Sequence, residues 1–278
     1  MSWHISGSVQ DFIDQAGPFL RSMPVENTVP ITLAESLKSR GPHIYGPEDP
    51  IFGWWTEPGG AVTGAFLQTP PHPLMLTRTP HESVPALVDA LEKPLPGVNA
   101  LTDDADRFAA RWSERTGATL AAGRRSRLFR LDRLTPATPP PGSARVAGRA
   151  DRDLLVDWIE AFHSEIGEGA RQDSVTVVDD KLAHGGLTLW EVDGTPVGLA
   201  GATRPEAGMV RVVAVYTPVE HRKNGYGGAV TTTVTQAALD AGATDVVLFT
   251  DLANATSNAL YQRLGYRPVE DRKVVQFG

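Results

Sequence analysis

The residues best suited to chemistry are Arg222, Gly225 and Gly227, in the spacing Arg-x-x-Gly-x-Gly. They follow the apolar run 210–216 and precede a stretch of small and apolar residues, an order that reads as strand, turn and helix. Glycines in such a turn let backbone N–H groups close on an anion, and the helix behind them adds its positive end. The pattern predicts a cradle for a diphosphate and therefore a phosphate-bearing ligand. Arg222 reads either as a charge for that anion or as a surface salt-bridge partner.

The surrounding elements are legible from periodicity. Asp151 to about Ile166 has helical spacing of Leu154, Leu155, Trp158 and Phe162. Residues 187–192 and 196–201, joined through Asp193 and Gly194, read as a hairpin. A helix runs from Gly227 to Ala241 and ends near Gly242, and a strand covers 245–250. A short helix from about Ala255 to Leu264 is closed by Gly265 in a position that suits a left-handed residue. Asn254 stands where it caps that helix or hydrogen-bonds a ligand.

Composition bounds the rest. With 278 residues, 41% of them hydrophobic, the chain suits two domains. Its net charge of -7 disfavours a nucleic acid or an anionic membrane as main partner. The absence of cysteine excludes disulfides, thiolate metal sites and a cysteine nucleophile. No apolar run is long enough to span a bilayer, the start has no signal-peptide pattern, and a cytoplasmic protein is expected. The histidines His4, His43, His72 and His81 have no metal-site spacing, and His184 reads as a turn residue. Arg124, Arg125 and Arg127 read as an exposed hairpin rather than a nucleic-acid patch.

The proline run 134–143 is expected to be extended and exposed, and it suggests a division into 1–135, a linker 136–142 and 143–278. The two halves share a faint repeat. Thr102, Asp103, Arg115, Gly117 and Phe129 stand at the same offset from Thr250, Asp251, Arg263, Gly265 and Phe277. After Glu82 the first half has no glycine loop. Trp54, Trp55 and Phe66 lie in strand-like runs that pack a core, wall an acceptor site or make a subunit contact, and a homodimer is compatible with the last of these.

The Arg222-x-x-Gly225-x-Gly227 loop, the strand ending in Thr250 and Asp251, and the helix from Asn254 through Leu260 and Tyr261 to Gly265 and Tyr266 occur in order. Together they resemble the GCN5-related N-acetyltransferase (GNAT) family over roughly Ser143 to Gly278. The resemblance implies two α/β (α+β) units, each a mixed, mostly antiparallel splayed sheet flanked by helices, with the first copy degenerate. It implies acetyl-CoA as cosubstrate and no metal. The diphosphate would lie on the amides of Lys223, Asn224, Gly225, Tyr226, Gly227 and Gly228, and the pantetheine beside Val213, Ala214 and Val215, with Arg222 or Lys223 adding charge. Lys223 stands where many relatives carry another glycine.

Tyr261 is the expected general acid for the departing thiolate, its phenol having a reference pKa of about 10; the alternative is a core tyrosine. The expected reaction is direct attack by a primary amine of a small molecule, less readily of a protein, on the thioester. Glu160 and Asp251 are the leading candidates for the base, ahead of His163 and Glu165. A non-catalytic acyl-CoA-binding or partner-binding module is the competing reading. A Rossmann-type nucleotide fold fits badly because the loop lacks Gly-x-Gly-x-x-Gly and comes late in its domain.

Overall fold

Two strands of twelve residues each, Leu120–Leu131 and Tyr266–Phe277, are shared out between two units of the chain. The computed structural model describes residues 1–136, 138–166 and 174–278. The first unit holds Met1–Leu128 with Val269–Gly278, and the second holds Phe129–Pro268. The division therefore differs from the one drawn at the proline run. It falls inside a strand, and the last strand of the chain counts mostly with the first unit. The reason is that Gly97–Leu101 takes its antiparallel partner from the end of the chain, with Val98 opposite Val275 and Leu101 opposite Arg272.

The first unit contains β1 (Ser2–Ser6), α1 (Val9–Ser22), α2 (Thr28–Arg40), β2 (Ile51–Thr56), β3 (Val62–Gln68), β4 (Leu74–Leu76), α3 (Ser83–Ala90), β5 (Gly97–Leu101), α4 (Thr102–Thr116) and most of β6 (Leu120–Leu131). Its strand order is β1-β2-β3-β4-β5, then the final strand of the chain, then β6. Helix α4 buries Ala105, Phe108, Ala109 and Trp112 at helical spacing, each large ring contributing about 1.5–3 kcal/mol by leaving water. Trp55 and Phe66 are core residues, as packing predicts. Arg124, Arg125 and Arg127 lie within β6 and not on a hairpin, and Arg127 holds Asp271 by two hydrogen bonds of 2.7 and 2.8 Å.

The second unit contains β7 (Ser143–Val146), α5 (Arg152–Glu165), α6 (Ser174–Leu182), β8 (Leu187–Val192), β9 (Thr195–Ala202), β10 (Met209–Tyr216), α7 (Tyr226–Asp240), β11 (Asp245–Asp251), α8 (Ala255–Arg263) and the start of β12 (Tyr266–Phe277). The end of β6 is followed in its sheet by β11-β10-β9-β8-β7. The β8–β9 hairpin turns through Asp193 and Gly194, with φ of 48° and 77°, the left-handed pair that a two-residue hairpin needs. The core of this unit joins Phe129, contributed by the end of β6, to Val230 of α7, Leu248 of β11 and Tyr266, whose hydroxyl meets Thr235 at 2.6 Å.

The proline run, of which Ala137 lies outside the described residues, is docked rather than loose. The amides of Asp132 and Thr135 donate to Gly265 and Leu264, and Trp190 Nε1 donates to the Pro141 carbonyl at 3.0 Å. Gly265 has φ of 97° and ends α8 as expected, while a Cβ there would overlap the Arg133 carbonyl oxygen. Gly117 ends α4 in the same way, with φ of 75°. Hairpin, strand, helix, strand, helix and strand recur in both units, giving two α/β units with mostly antiparallel sheets flanked by helices. Among the described residues no helix is long and apolar enough to cross a membrane.

Candidate active site

The parallel ladder between β10 and β11 runs from Met209 opposite Asp245 to Val212 opposite Leu248, and stops there. On its other side β10 slips register against β9 between Val213 and Tyr216. Ala214, at the slip, has φ of 50°, a left-handed conformation that costs a non-glycine residue of order 1–3 kcal/mol. Such a bulge bends a strand, and the β10–β11 ladder ends at Val212, directly before the slip. Val213, Ala214 and Val215 thus present a backbone edge on the β11 side with no ladder partner among the described residues.

Beyond Tyr216 the chain passes through Thr217 and Pro218 into the glycine loop. Lys223 and Gly225 take φ of 68° and 85°, and Gly225 stands as the N-cap of the 15-residue helix α7 with no capping side chain. The first turn carries no acidic residue, and the first intrahelical bond runs from the Ala229 amide to Gly225. Among the described residues the amides of Tyr226, Gly227 and Gly228 therefore stand at a positive helix end without a partner of their own. Gly227 is informative because packing does not require it: a Cβ there would meet only Thr217 Oγ1, at an ordinary 3.5 Å. At Gly225 a Cβ would have only Pro140 nearby, at 3.9 Å. The glycines leave room beside uncapped amides, which is the arrangement a diphosphate needs.

Arg222 adopts the salt-bridge arrangement. Its Nη2 donates to both oxygens of Glu165 at 2.6 and 2.7 Å, and its Nε donates to the Thr217 carbonyl at 2.9 Å. Glu165 is thereby tied to a guanidinium. Asn224 donates to the carbonyls of His221 and Arg222 and so holds the loop. Glu160 is exposed on α5. Asp251 accepts the Ala253 amide at 2.7 Å and its carbonyl takes Asn258 Nδ2 at 2.8 Å, so it shapes the turn into α8. Asn254 caps α8, its Oδ1 accepting the Ser257 amide at 2.9 Å.

Tyr261 lies in the core, 6% exposed, with ring centroids 6.4 Å from Phe129 and 6.1 Å from Tyr266. Burial pushes its phenol far above the usual range, so the group holds its proton at every working pH. Tyr216, which the sequence did not single out, closes the end of β10 with its ring 5.9 Å from that of Trp158. Burial, then the charge of Glu165, raises its phenol pKa against the pull of Arg222. Its place directly before Thr217 and Pro218, at the inward phase of the strand, was the available signal. The structure brings Val213, Ala214, Val215 and the loop 222–228 together along one continuous stretch, whereas Asp251, Asn254 and Tyr261 are fixed by the α8 turn and the core. Among the described residues no group of three or more His, Asp or Glu side chains is arranged to hold a metal ion.

Comparison with known proteins agrees with this geometry. Residues 153–266 match the acetyltransferase (GNAT) family. No curated protein matches the chain significantly. Among solved structures, a GNAT-family acetyltransferase from Colwellia psychrerythraea is similar with a TM-score of 0.62 at 12% identity, covering 100% of this chain and 99% of that one. A GCN5-related N-acetyltransferase from Sphaerobacter thermophilus gives a TM-score of 0.64 at 15% identity, covering 99% and 95%. A tandem GNAT protein from the clavulanic acid biosynthesis pathway gives 0.55 at 14% identity, covering 100% and 98%. At these identities the structures establish a shared fold. The split ladder and the uncapped glycine loop lie within residues 153–266, the part of the chain that matches the acetyltransferase (GNAT) family, and the chain as a whole has a fold similar to that of a tandem GNAT protein.

Proposed function

We propose that the second unit transfers an acetyl group from acetyl-CoA to a primary amine, of a small molecule in preference to a protein. The observation that carries this reading is the opening between β10 and β11 beside the uncapped start of α7, with Gly227 leaving space that packing does not use. The amides from Lys223 to Gly228 would hold the diphosphate, with Lys223 free to add charge. The edge at Val213, Ala214 and Val215 would pair with the pantetheine amides, and one of its N–H groups would polarise the thioester oxygen.

The neutral amine attacks the thioester carbon, the C–N bond forms, and the C–S bond breaks. The amine loses one proton and the thiolate gains one. Tyr261, kept protonated by burial, is the donor in this reading; no hydrogen bond engages its hydroxyl among the described residues. Glu160 and Asp251 remain the candidates for the base, and the pairing of Glu165 with Arg222 argues against that residue. Calorimetry with CoA should give one site per chain, and an amine screen for CoA release should yield turnover. Tight binding without turnover on any amine would leave the chain as an acyl-CoA-binding module, and no binding at all would sink the cradle.

A further inference from the structure

The first unit closes the corresponding opening with its own chain. β4 and β5 run parallel for two pairs only, Leu74 opposite Val98 and Met75 opposite Asn99. Arg272 Nη2 donates to the carbonyls beyond, Leu76 O at 2.5 Å and Asn99 O at 3.2 Å. The second unit places aromatic rings beside its opening instead.

Helix α5 packs against β10. Its inward line, Leu155 and Ile159, joins Tyr216 in one buried cluster, and Trp158, Phe162 and Ala214 pack on that cluster while staying partly exposed. Ala214 is the residue at the strand slip, so these rings stand next to the edge assigned to the thioester. The Trp158 and Tyr216 ring centroids are 5.9 Å apart, with planes inclined at 59°. Among the described residues neither the Tyr216 hydroxyl nor Trp158 Nε1 has a hydrogen-bond partner, and neither atom is sealed from solvent. Tyrosine and tryptophan in a finished core find partners for these atoms, whereas open tips belong to rings that face a space.

The charge beside the rings is small and negative. Three ionic groups act on Tyr216, the carboxylates of Glu165 and Glu220 and the guanidinium of Arg222. Arg222 and Glu165 cancel through their hydrogen bonds of 2.6 and 2.7 Å, which leaves the exposed carboxylate of Glu220. Asp157 and Glu160, also exposed on α5, are not among the charges that act on Tyr216. One carboxylate attracts one ammonium and leaves a second without a partner, and the ring faces favour the same single charge.

We propose that the acceptor is a monoamine with one aromatic body, an arylalkylamine, whose ring lies against Trp158, Phe162 and Tyr216 while the Tyr216 hydroxyl accepts one N–H of its amine. The proposal rests on the acetyl-transfer reading and narrows it to a substrate class. Diamines and amino sugars lack the apolar body that half-buried rings can take out of water.

The test is the rate of CoA release by the full chain with acetyl-CoA and, in turn, phenethylamine, putrescine and glucosamine. kcat/KM for phenethylamine should exceed that for either of the others by about tenfold or more, a ratio that burial of one phenyl ring supports. Trp158→Ala should raise KM for phenethylamine about tenfold and Trp158→Phe should restore most of the loss, with calorimetric CoA affinity within about twofold of the parent in both, a split that general unfolding would not give. The comparison of amines uses the parent chain and does not depend on any variant folding. The proposal is overturned if putrescine or glucosamine comes closer to phenethylamine than that margin, or if Trp158→Ala binds CoA and keeps its KM for phenethylamine. CoA binding without release on any amine removes the acetyl-transfer reading and this proposal with it, whereas turnover that favours another amine removes this proposal alone.

Discussion

Gly227→Ala separates two reasons for which a glycine can stand in the first turn of α7. If the chain needs the glycine for its own packing, a methyl group there should destabilise the fold. The geometry argues otherwise, since a Cβ would touch only Thr217 Oγ1 at 3.5 Å and the residue is not in the left-handed region. Alanine is favoured over glycine by about 1 kcal/mol inside a helix and by less in the first turn, so the ligand-free protein should gain about 0.5–1 kcal/mol. For a unit of this size that corresponds to roughly 1–4 °C in Tm. The same methyl group stands where the diphosphate oxygens must approach the amides of the loop, so CoA affinity should fall at least tenfold, or about 1.4 kcal/mol. Thermal unfolding without ligand and calorimetric titration with CoA measure the two effects separately. A lower Tm would return the glycine to a packing role. A higher Tm with unchanged CoA affinity would refute the reasoning about reserved space.

Three further outcomes follow from the same geometry. Lys223→Gly removes a left-handed lysine, whose strain of about 1–2 kcal/mol exceeds the entropy cost of the new glycine, so urea midpoints should rise slightly while CoA affinity drops by less than tenfold through lost charge. Glu165→Gln frees Arg222 for the diphosphate, and CoA should bind several-fold tighter, most visibly at low salt, with under about 1 kcal/mol lost from this half-exposed pair; weaker binding would contradict it. Tyr261 and Tyr266 have phenols raised by burial, the second up to about 12, while both ionise near 10 in the unfolded chain. Above pH 10 the native state therefore holds more protons than the unfolded state, and stability should fall as pH rises. Tyr261→Phe should remove about 1.4 kcal/mol per pH unit from that alkaline slope and slow acetyl transfer about a hundredfold without altering CoA affinity; an unchanged rate would leave Tyr261 as a core residue alone.

Local patterns carried the second unit well. The hairpin at Asp193 and Gly194, the helices α5, α7 and α8 and the left-handed Gly265 all follow from periodicity and turn chemistry that act within a few residues. The exchange of strands between the units does not. Nothing in β6 marks the step from Leu128 to Phe129, because a strand's own residues specify its pleat and not its neighbour. Residues 269–273 are charged at four of their five positions, yet Glu270 and Arg272 are buried. Their charges are compensated by each other and by the carbonyls of Leu76 and Asn99, partners remote in sequence.

The site divides along the same line between local and long-range signals. Glycine spacing announced the loop because a missing Cβ is a property of the chain itself, whereas the partner of Arg222 lies 57 residues away on α5 and left no trace in the motif. Asn254 had two readings, and the Ser257 amide on its Oδ1 settles its capping role without excluding a ligand on its remaining atoms. The two units share a split between parallel strands, so the split alone does not make a cofactor site. In the second unit the edge beyond Val212 stays open and leads to bare amides; in the first, Arg272 satisfies the edge and the loop has no glycine. Adding glycines to 77–82 therefore does not by itself give the first unit a full CoA site, because the guanidinium would still hold the edge carbonyls of Leu76 and Asn99 where the pantetheine would have to pair.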